Sequence, residues 1–421
     1  MTSHTQPIVL SPADLDRLRR RTVRSLVGGV ALGSTGHIAA VTIATIAAEQ
    51  LAGTPALAGV PGATVVLGAA AGAVALSRLM AHRGRRFGLA AGYAIGVAGA
   101  LGATAAIVFG SFELFLLATV FIGFGNSSNQ LSRYAAADLY PKNKRASAIG
   151  TVVWGATVGA VIGPNLVEPS GRIAVALGLP ELAGPYLVPV VFVGIAALLS
   201  IALLRPDPYE LADVSSIRTA ETPASGPLRE ILRRPSVVAA IPALIVGQFV
   251  MVLIMTMTPL HMKMHGHGLA AVGLVLSAHT FGMFALSPIS GRLTDRFGSP
   301  TVIFGGFAVL VSSAITSAVA PPEGGVILFL ALFLLGWGWN LGFVAGSALL
   351  TGGLSLLERT RVQGLADALI WSTAAVASLG SGVMLAAAGY ASLGILGAAL
   401  IIGPVWILYR RWDELRATSG H

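Results

Sequence analysis

"VILFLALFLLGWGWNLGFVAGSALL", residues 326–350, runs for 25 positions without one charged side chain. At about 1.5 Å of rise per residue, such a run coiled as a helix exceeds the roughly 30 Å hydrocarbon core of a bilayer. Lipid offers the backbone no hydrogen bonds, so the run must satisfy its own N–H and C=O groups, which a helix does within one segment. Apolar runs of similar length recur on both sides, from Leu26 to Tyr409. They predict twelve spans, at 25–47, 57–79, 87–109, 112–135, 147–167, 186–205, 236–259, 269–290, 301–319, 325–350, 364–386 and 390–409.

Composition agrees. The 421 residues have a mean hydropathy of +0.80, 55% apolar and only 11% charged side chains, a balance foreign to a soluble domain of this length. The expected fold class is therefore an all-α polytopic membrane protein, with the lipid bilayer as its first partner. A cleaved signal is not expected, because about 20 residues precede the first span and further spans follow it.

Net charge is +9. Basic residues gather at Arg17–Arg24, Arg83–Arg86, Lys142–Arg145, Arg229–Arg233, Arg292–Arg296, Arg359–Arg361 and Arg410–Arg416, while the alternate connections hold only Arg172 and Lys263. This alternation places both termini in the cytoplasm by the positive-inside rule and makes the excess charge a topology signal rather than a nucleic-acid footprint. No nucleophile–base constellation is visible, so an enzyme with catalytic residues is not expected.

The longest connection, 206–235, is rich in Pro, Ser, Thr and acids and reads as a cytoplasmic linker. It divides the chain into a tail (1–24), a six-span half (25–205), the linker, a second six-span half (236–409) and a tail (410–421). The halves echo each other: "SRLMAHRGRRFG" (77–88) and "GRLTDRFGSP" (291–300) both follow the second span of their half, about 214 positions apart. "KNKRASAIGTVVW", ending at Trp154, and "ERTRVQGLADALIW", ending at Trp371, both enter the fifth. Two similar six-helix bundles around a central path are the layout of an alternating-access carrier.

On these motifs the chain resembles the major facilitator superfamily over essentially its whole length. That family's G-x-L-x-D-R-x-G-R-R loop is nearly complete as Gly291, Leu293, Asp295, Arg296 and Gly298; in the first half Ser77 and Ala81 replace its Gly and Asp while Gly84, Arg85 and Arg86 remain. The resemblance implies a conformational latch, from Asp295 and Arg296 with Arg85 and Arg86. It also matches "GATVGAVIGP" (155–164) to the family's fifth-helix Gly/Pro motif; from spacing alone Gly155, Gly159 and Gly163 share a face suited to close helix contact.

Few polar side chains fall within the spans. Asn126, Asn129, Gln130 and Asn340 are candidates to line a central path, or to bond helix to helix. Trp154 and Trp371 offer aromatic walls for a flat solute, or core anchors. Asp367 sits about one turn into the eleventh span, as a coupling acid or as an ion-pair partner of Arg359 or Arg361. Arg133 lies late in the fourth span.

"MVLIMTMTPLHMKMHGHG" (251–268) holds five of the nine methionines and three of the eight histidines. Met251 and Met255 share a helix face, and His279 and Met283 repeat the spacing in the eighth span. Counting helical rise inward from the outer loop puts Met255, then Met251 beside His279, then Met283 on a descending ladder. His261, Met262, Met264, His265 and His267 would form an outer capture loop. Thioethers and imidazoles without any cysteine suit Cu(I). Core packing and proton sensing are the competing readings.

The paired M-x-x-x-M and H-x-x-x-M motifs also resemble those of the CcoA-type copper importers of the CalT group within that superfamily. The resemblance implies transport of copper, as substrate rather than resident cofactor, across the bacterial inner membrane for assembly of a cbb3-type oxidase. Downstream cytoplasmic copper-handling proteins would then be partners and the carrier a monomer. The same group includes riboflavin carriers, so an organic-solute carrier is the alternative, and a non-transporting copper sensor or assembly partner a third.

Overall fold

The first helix, α1 (Pro12–Thr42), starts well before the expected boundary at 25, because Ser11 accepts a hydrogen bond from the Asp14 N–H and Pro12 fits the first turn. The arginines between 17 and 24 thus lie on a helix rather than in a tail. The computed structural model describes residues 11–54, 57, 59–210, 227–267, 269–321 and 325–419. Among them there are helices and turns and no strand. The central part of the expected linker, 211–226, lies outside the described residues.

In the first half α1 is followed by α2 (Ala44–Ala52), α3 (Val60–Phe109), α4 (Phe112–Asp138), α5 (Arg145–Trp154), α6 (Ala156–Asn165), α7 (Val167–Ala176) and α8 (Gly184–Leu203). After the short α9 (Leu228–Ile231) the second half holds α10 (Pro235–Met264), α11 (Leu269–Phe284), α12 (Ser287–Phe297), α13 (Ser299–Val319), α14 (Gly325–Leu349), α15 (Leu356–Arg410) and α16 (Trp412–Ser419). Nine described stretches are long and apolar enough to cross a membrane. Two of these are double, α3 breaking at Gly84 (φ 84°) and α15 at Gly389 (φ 75°), conformations that favour glycine. With α4, whose Asn126–Gln130 stretch lowers its hydropathy, they make the twelve passes expected.

The internal echo is visible in the backbone. Gly84 turns the second pass into the third, and Gly298, also at φ 84°, turns α12 into α13. Both glycines belong to the paired loop motifs. With twelve passes, these loops, the other basic clusters, the start of α1 and the end of α15 lie at one end of the bundle, the basic end.

Helix association in lipid depends on close packing, because lipid tails are as apolar as leucine. The face predicted for Gly155, Gly159 and Gly163 meets α1: a Cβ on Gly159 would stand 2.5 Å from the Ser34 Cβ. Leu67, Leu198, Val383 and Ile402 are exposed around the outside, as side chains facing lipid should be.

Candidate functional site: a central cavity and its seal

At the basic end the halves are tied by polar contacts. Asp295, on α12, accepts hydrogen bonds from the backbone N–H groups of Ala146 (3.1 Å) and Ser147 (2.9 Å) in the other half. These are free donors because α5 begins at Arg145, and a carboxylate at a helix N-terminus also complements the helix dipole.

Counting back from Trp371 as from Trp154, Gln363 and Gly364 correspond to Ala146 and Ser147. They lie well inside α15, which starts earlier and carries its own capping box of Ser355 and Glu358. No open N-terminus awaits an acid there, which accounts for Ala81. Arg85 takes over that side: fully buried, it donates to Asp138 Oδ2 (2.8 and 3.1 Å) and across the halves to Gln363 Oε1 (2.8 Å). Of the four expected latch residues, Asp295 and Arg85 cross between halves. Arg86 contributes only its backbone N–H to Asp207 (2.9 Å), and Arg296 is exposed above the Phe297 ring.

Beyond this seal a cavity of about 290 Å³ lies between the halves. The first half supplies His37, Asn126, Asn129, Gln130 and Arg133; the second supplies Gln248, Met251, Met255, Met283, Trp339, Phe343, Asp367 and Trp371, with aliphatic residues between them. Trp339 and Phe343 stack at 4.5 Å between centroids with an 18° interplanar angle, and Phe284 meets Trp339 edge-on. The Trp339 Nε1–H donates to Gln248 Oε1 at 2.8 Å.

Asp367 pairs with Arg133, not with Arg359 or Arg361 as the sequence suggested. Arg133 Nη2 donates to Asp367 Oδ1 and to the Tyr134 hydroxyl (2.9 Å), and its Nε donates to Ser347 Oγ (3.2 Å). Its guanidinium also lies over the Tyr134 and Phe343 rings, 4.2 and 4.3 Å from their centroids. Arg359 instead bonds the Leu354 carbonyl and stands 3.9 Å from Asp138.

The remaining candidates separate. Met251, Met255 and Met283 reach the cavity, whereas His279 does not line it. That side chain is fully buried, with Nδ1 3.0 Å from the Leu332 carbonyl oxygen of α14. A carbonyl only accepts, so Nδ1 carries the proton, and Nε2 is left without a hydrogen-bond partner among the described residues. The reason is helix packing: Gly336 lets α14 approach so closely that a Cβ there would stand 2.2 Å from the His279 carbonyl oxygen. In the cavity, then, the ladder is three methionines.

The expected capture loop is partly helix, since α10 continues to Met264. Met262 is fully buried and Met264 exposed. His261 stacks on Tyr390 (4.1 Å between centroids) and lies 4.4 Å from the His265 ring, whose Nδ1 bonds the His261 carbonyl. His267 stands near Gly325. No group of three or more His or acidic residues among the described residues is arranged to hold a metal ion.

Asn126, Asn129 and Trp371 line the cavity. Trp154 is 42% exposed on the outer surface, and Asn340 is buried in a tie between helices, accepting from Ser290 Oγ and donating to Ser287 Oγ (2.7 Å) and the Met283 carbonyl. Sequence reasoning passed over His37, Tyr93, Gln248 and Trp339. Gln248 and His37 did carry a signal, each being a polar residue inside an apolar run.

The comparisons agree with this architecture. The model of the Major Facilitator Superfamily matches residues 25–272. The chain is 34% identical to the uncharacterised MFS-type transporter YdeG of Bacillus subtilis (strain 168), over 97% of this chain and 96% of that one. It is 35% identical to YddS of the same organism, over 98% and 96%. The riboflavin transporter RfnT of Brucella anthropi is 30% identical over 92% and 95%. Among solved structures, a bacterial homologue of the iron transporter ferroportin, in an outward-facing state, aligns with a TM-score of 0.70 at 14% identity, covering 93% of this chain and 99% of its own. The proton:xylose symporter XylE aligns at 0.72 and 13% identity, covering 94% and 96%. A bundle of two related halves around a central cavity is a carrier's architecture, and the chain belongs to the Major Facilitator Superfamily. It is an integral membrane transporter. Nothing among these relatives places it in the copper-importing group.

Proposed function

We propose that the protein carries a neutral, planar organic solute through the central cavity by alternating access, in a bacterial inner membrane with the basic end in the cytoplasm. One observation carries this reading: the cavity wall combines the stacked Trp339–Phe343 pair and Trp371 with neutral amides, while its charged groups among the described residues, Arg133 and Asp367, neutralise each other. A flat ring system gains area against aromatic faces and orientation from a few amides. The likeness to a riboflavin transporter over nearly the whole chain supports a flavin-sized heteroaromatic. Opening toward the cytoplasm would require the Arg133–Asp367 pair and the Asp295 and Arg85 ties to part. The test is uptake of radiolabelled riboflavin into proteoliposomes or into cells unable to make it; absence of uptake by wild type, for riboflavin and for a panel of flat heteroaromatics, would sink the reading.

A second reading is supported by the methionines. Met251, Met255 and Met283 bring three thioethers to one cavity, a donor set suited to Cu(I), and buried His279 has an unpartnered Nε2 close by in sequence. Copper would then be the transported substrate, passed on to cytoplasmic copper-handling proteins. Copper uptake measured by mass spectrometry, lost on changing all three methionines to leucine while riboflavin transport is absent, would favour it over the first.

A further inference from the structure

Two amide side chains in the cavity wall, one from each half, are left with the same end unspent. Gln248 is 7% exposed, and its Oε1 accepts from Trp339 Nε1 at 2.8 Å. An indole N–H only donates, which fixes the amide with oxygen toward Trp339 and leaves Nε2 without a partner among the described residues.

Asn126 stands at the end of a longer chain. The Tyr93 hydroxyl donates to Asn129 Oδ1 (3.0 Å), and Asn129 Nδ2 donates to Asn126 Oδ1 (3.0 Å). Room for this chain comes from Gly33, where a Cβ would stand 2.1 Å from Asn129 Oδ1. The Asn126 Nδ2, in a side chain 8% exposed, is again unpartnered among the described residues. Neither nitrogen is among the enclosed polar atoms that lack a partner, so both donors are open to the cavity space, where an acceptor on a solute can meet them. Both side chains line the same cavity.

We propose that Asn126 and Gln248 form a donor clamp, holding the solute by two hydrogen-bond acceptors, carbonyl oxygens or bare ring nitrogens, on a flat ring system lying against Trp339 and Phe343. The inference rests on the planar-solute reading above and names the part of the solute that is recognised. Because the two amides belong to opposite halves, a clamped solute ties the halves together, which an apolar ring of the same size would not do.

The test titrates the purified full chain in lipid nanodiscs with riboflavin, rich in such acceptors, and with acridine, a flat ring system with one; quenching of tryptophan fluorescence reads binding. Asn126→Leu and Gln248→Met remove the donors, and Gln248→Glu keeps the shape while replacing donor by acceptor; each must elute as a single species, and any one that does so decides. The expected result is roughly tenfold weaker riboflavin binding in each variant, the scale of one lost hydrogen bond, with acridine binding moved less than threefold. Wild type that binds riboflavin while the well-behaved variants bind it equally overturns the clamp and leaves the planar-solute reading in place. An equal loss for both compounds also overturns it, since shape rather than hydrogen bonding would be at stake. Wild type that binds neither compound overturns the clamp together with the reading it rests on.

Discussion

Arg133 and Asp367, 234 positions apart and on opposite halves, form a buried ion pair in the cavity wall. Each side chain is 2% exposed, so neither charge has water to fall back on if the other is removed. Removing one partner of a buried pair typically costs about 3–5 kcal/mol, more than the pair itself contributes over an apolar replacement. Asp367→Ala should therefore destabilise the protein by roughly that amount and abolish uptake, while the double variant Arg133→Met/Asp367→Leu should recover much of the stability and none of the transport. Thermal unfolding in detergent beside uptake measures both; an unchanged melting temperature in Asp367→Ala would contradict the pairing.

The seal at the basic end depends on Asp295 and not on its absent counterpart. Asp295→Ala removes two charge-assisted bonds to the start of α5 and should shift the population toward the state open at the basic end by about tenfold, the scale of a lost cap. Since the chain has no cysteine, one placed at Val153 in the cavity wall can report this by its rate of labelling from the basic side. Ala81→Asp, which restores the motif's acid in the first half, should not slow labelling, because α15 already has its cap at Ser355. Slower labelling in that variant would show that an open N-terminus exists there after all.

The fifth-pass glycines should behave as contact residues. A methyl group at Gly159 meets Ser34 at 2.5 Å, so Gly159→Ala should cost roughly 1–3 kcal/mol as overpacking. Gly28→Ala, on α1 with nothing within 4 Å of the added carbon, is the matched control and should be stable or slightly better for its higher helix propensity. Equal melting temperatures for the two variants would contradict the α1–α6 packing.

Methionine chemistry separates the two proposed cargoes. Met251→Leu, Met255→Leu and Met283→Leu conserve volume and apolarity and should leave riboflavin transport within about twofold, singly or together. A thioether lost from a copper path has no such substitute, and copper uptake should then fall at least tenfold. Running both cargoes on the same variants makes the outcomes exclusive.

Much of the fold was legible because lipid leaves the backbone few choices: a charge-free run such as 326–350 must be a helix, and the repeated loop motifs mark where each half turns, at Gly84 and Gly298. Boundaries were less legible. Ser11 and Pro12 start α1 early because a local cap stabilises a helix whether or not it lies in lipid.

The site was legible only in part. Met251 and Met255 share a face by helical period alone, and that face does meet the cavity. His279 and Met283 have the same spacing and matching depth, yet only Met283 reaches the cavity, because Gly336 draws α14 onto the His279 face. Trp154 and Asn340 were lost for the same reason, one turned to the outer surface and the other into a helix tie. Sequence determines how residues are arranged around one helix axis and how deep each lies. Which neighbour each face meets, and hence that Arg133 finds Asp367 and Gln248 finds Trp339, is decided by tertiary packing, because the rotation of a helix in its bundle is set by shape fit with other helices and not by its own period.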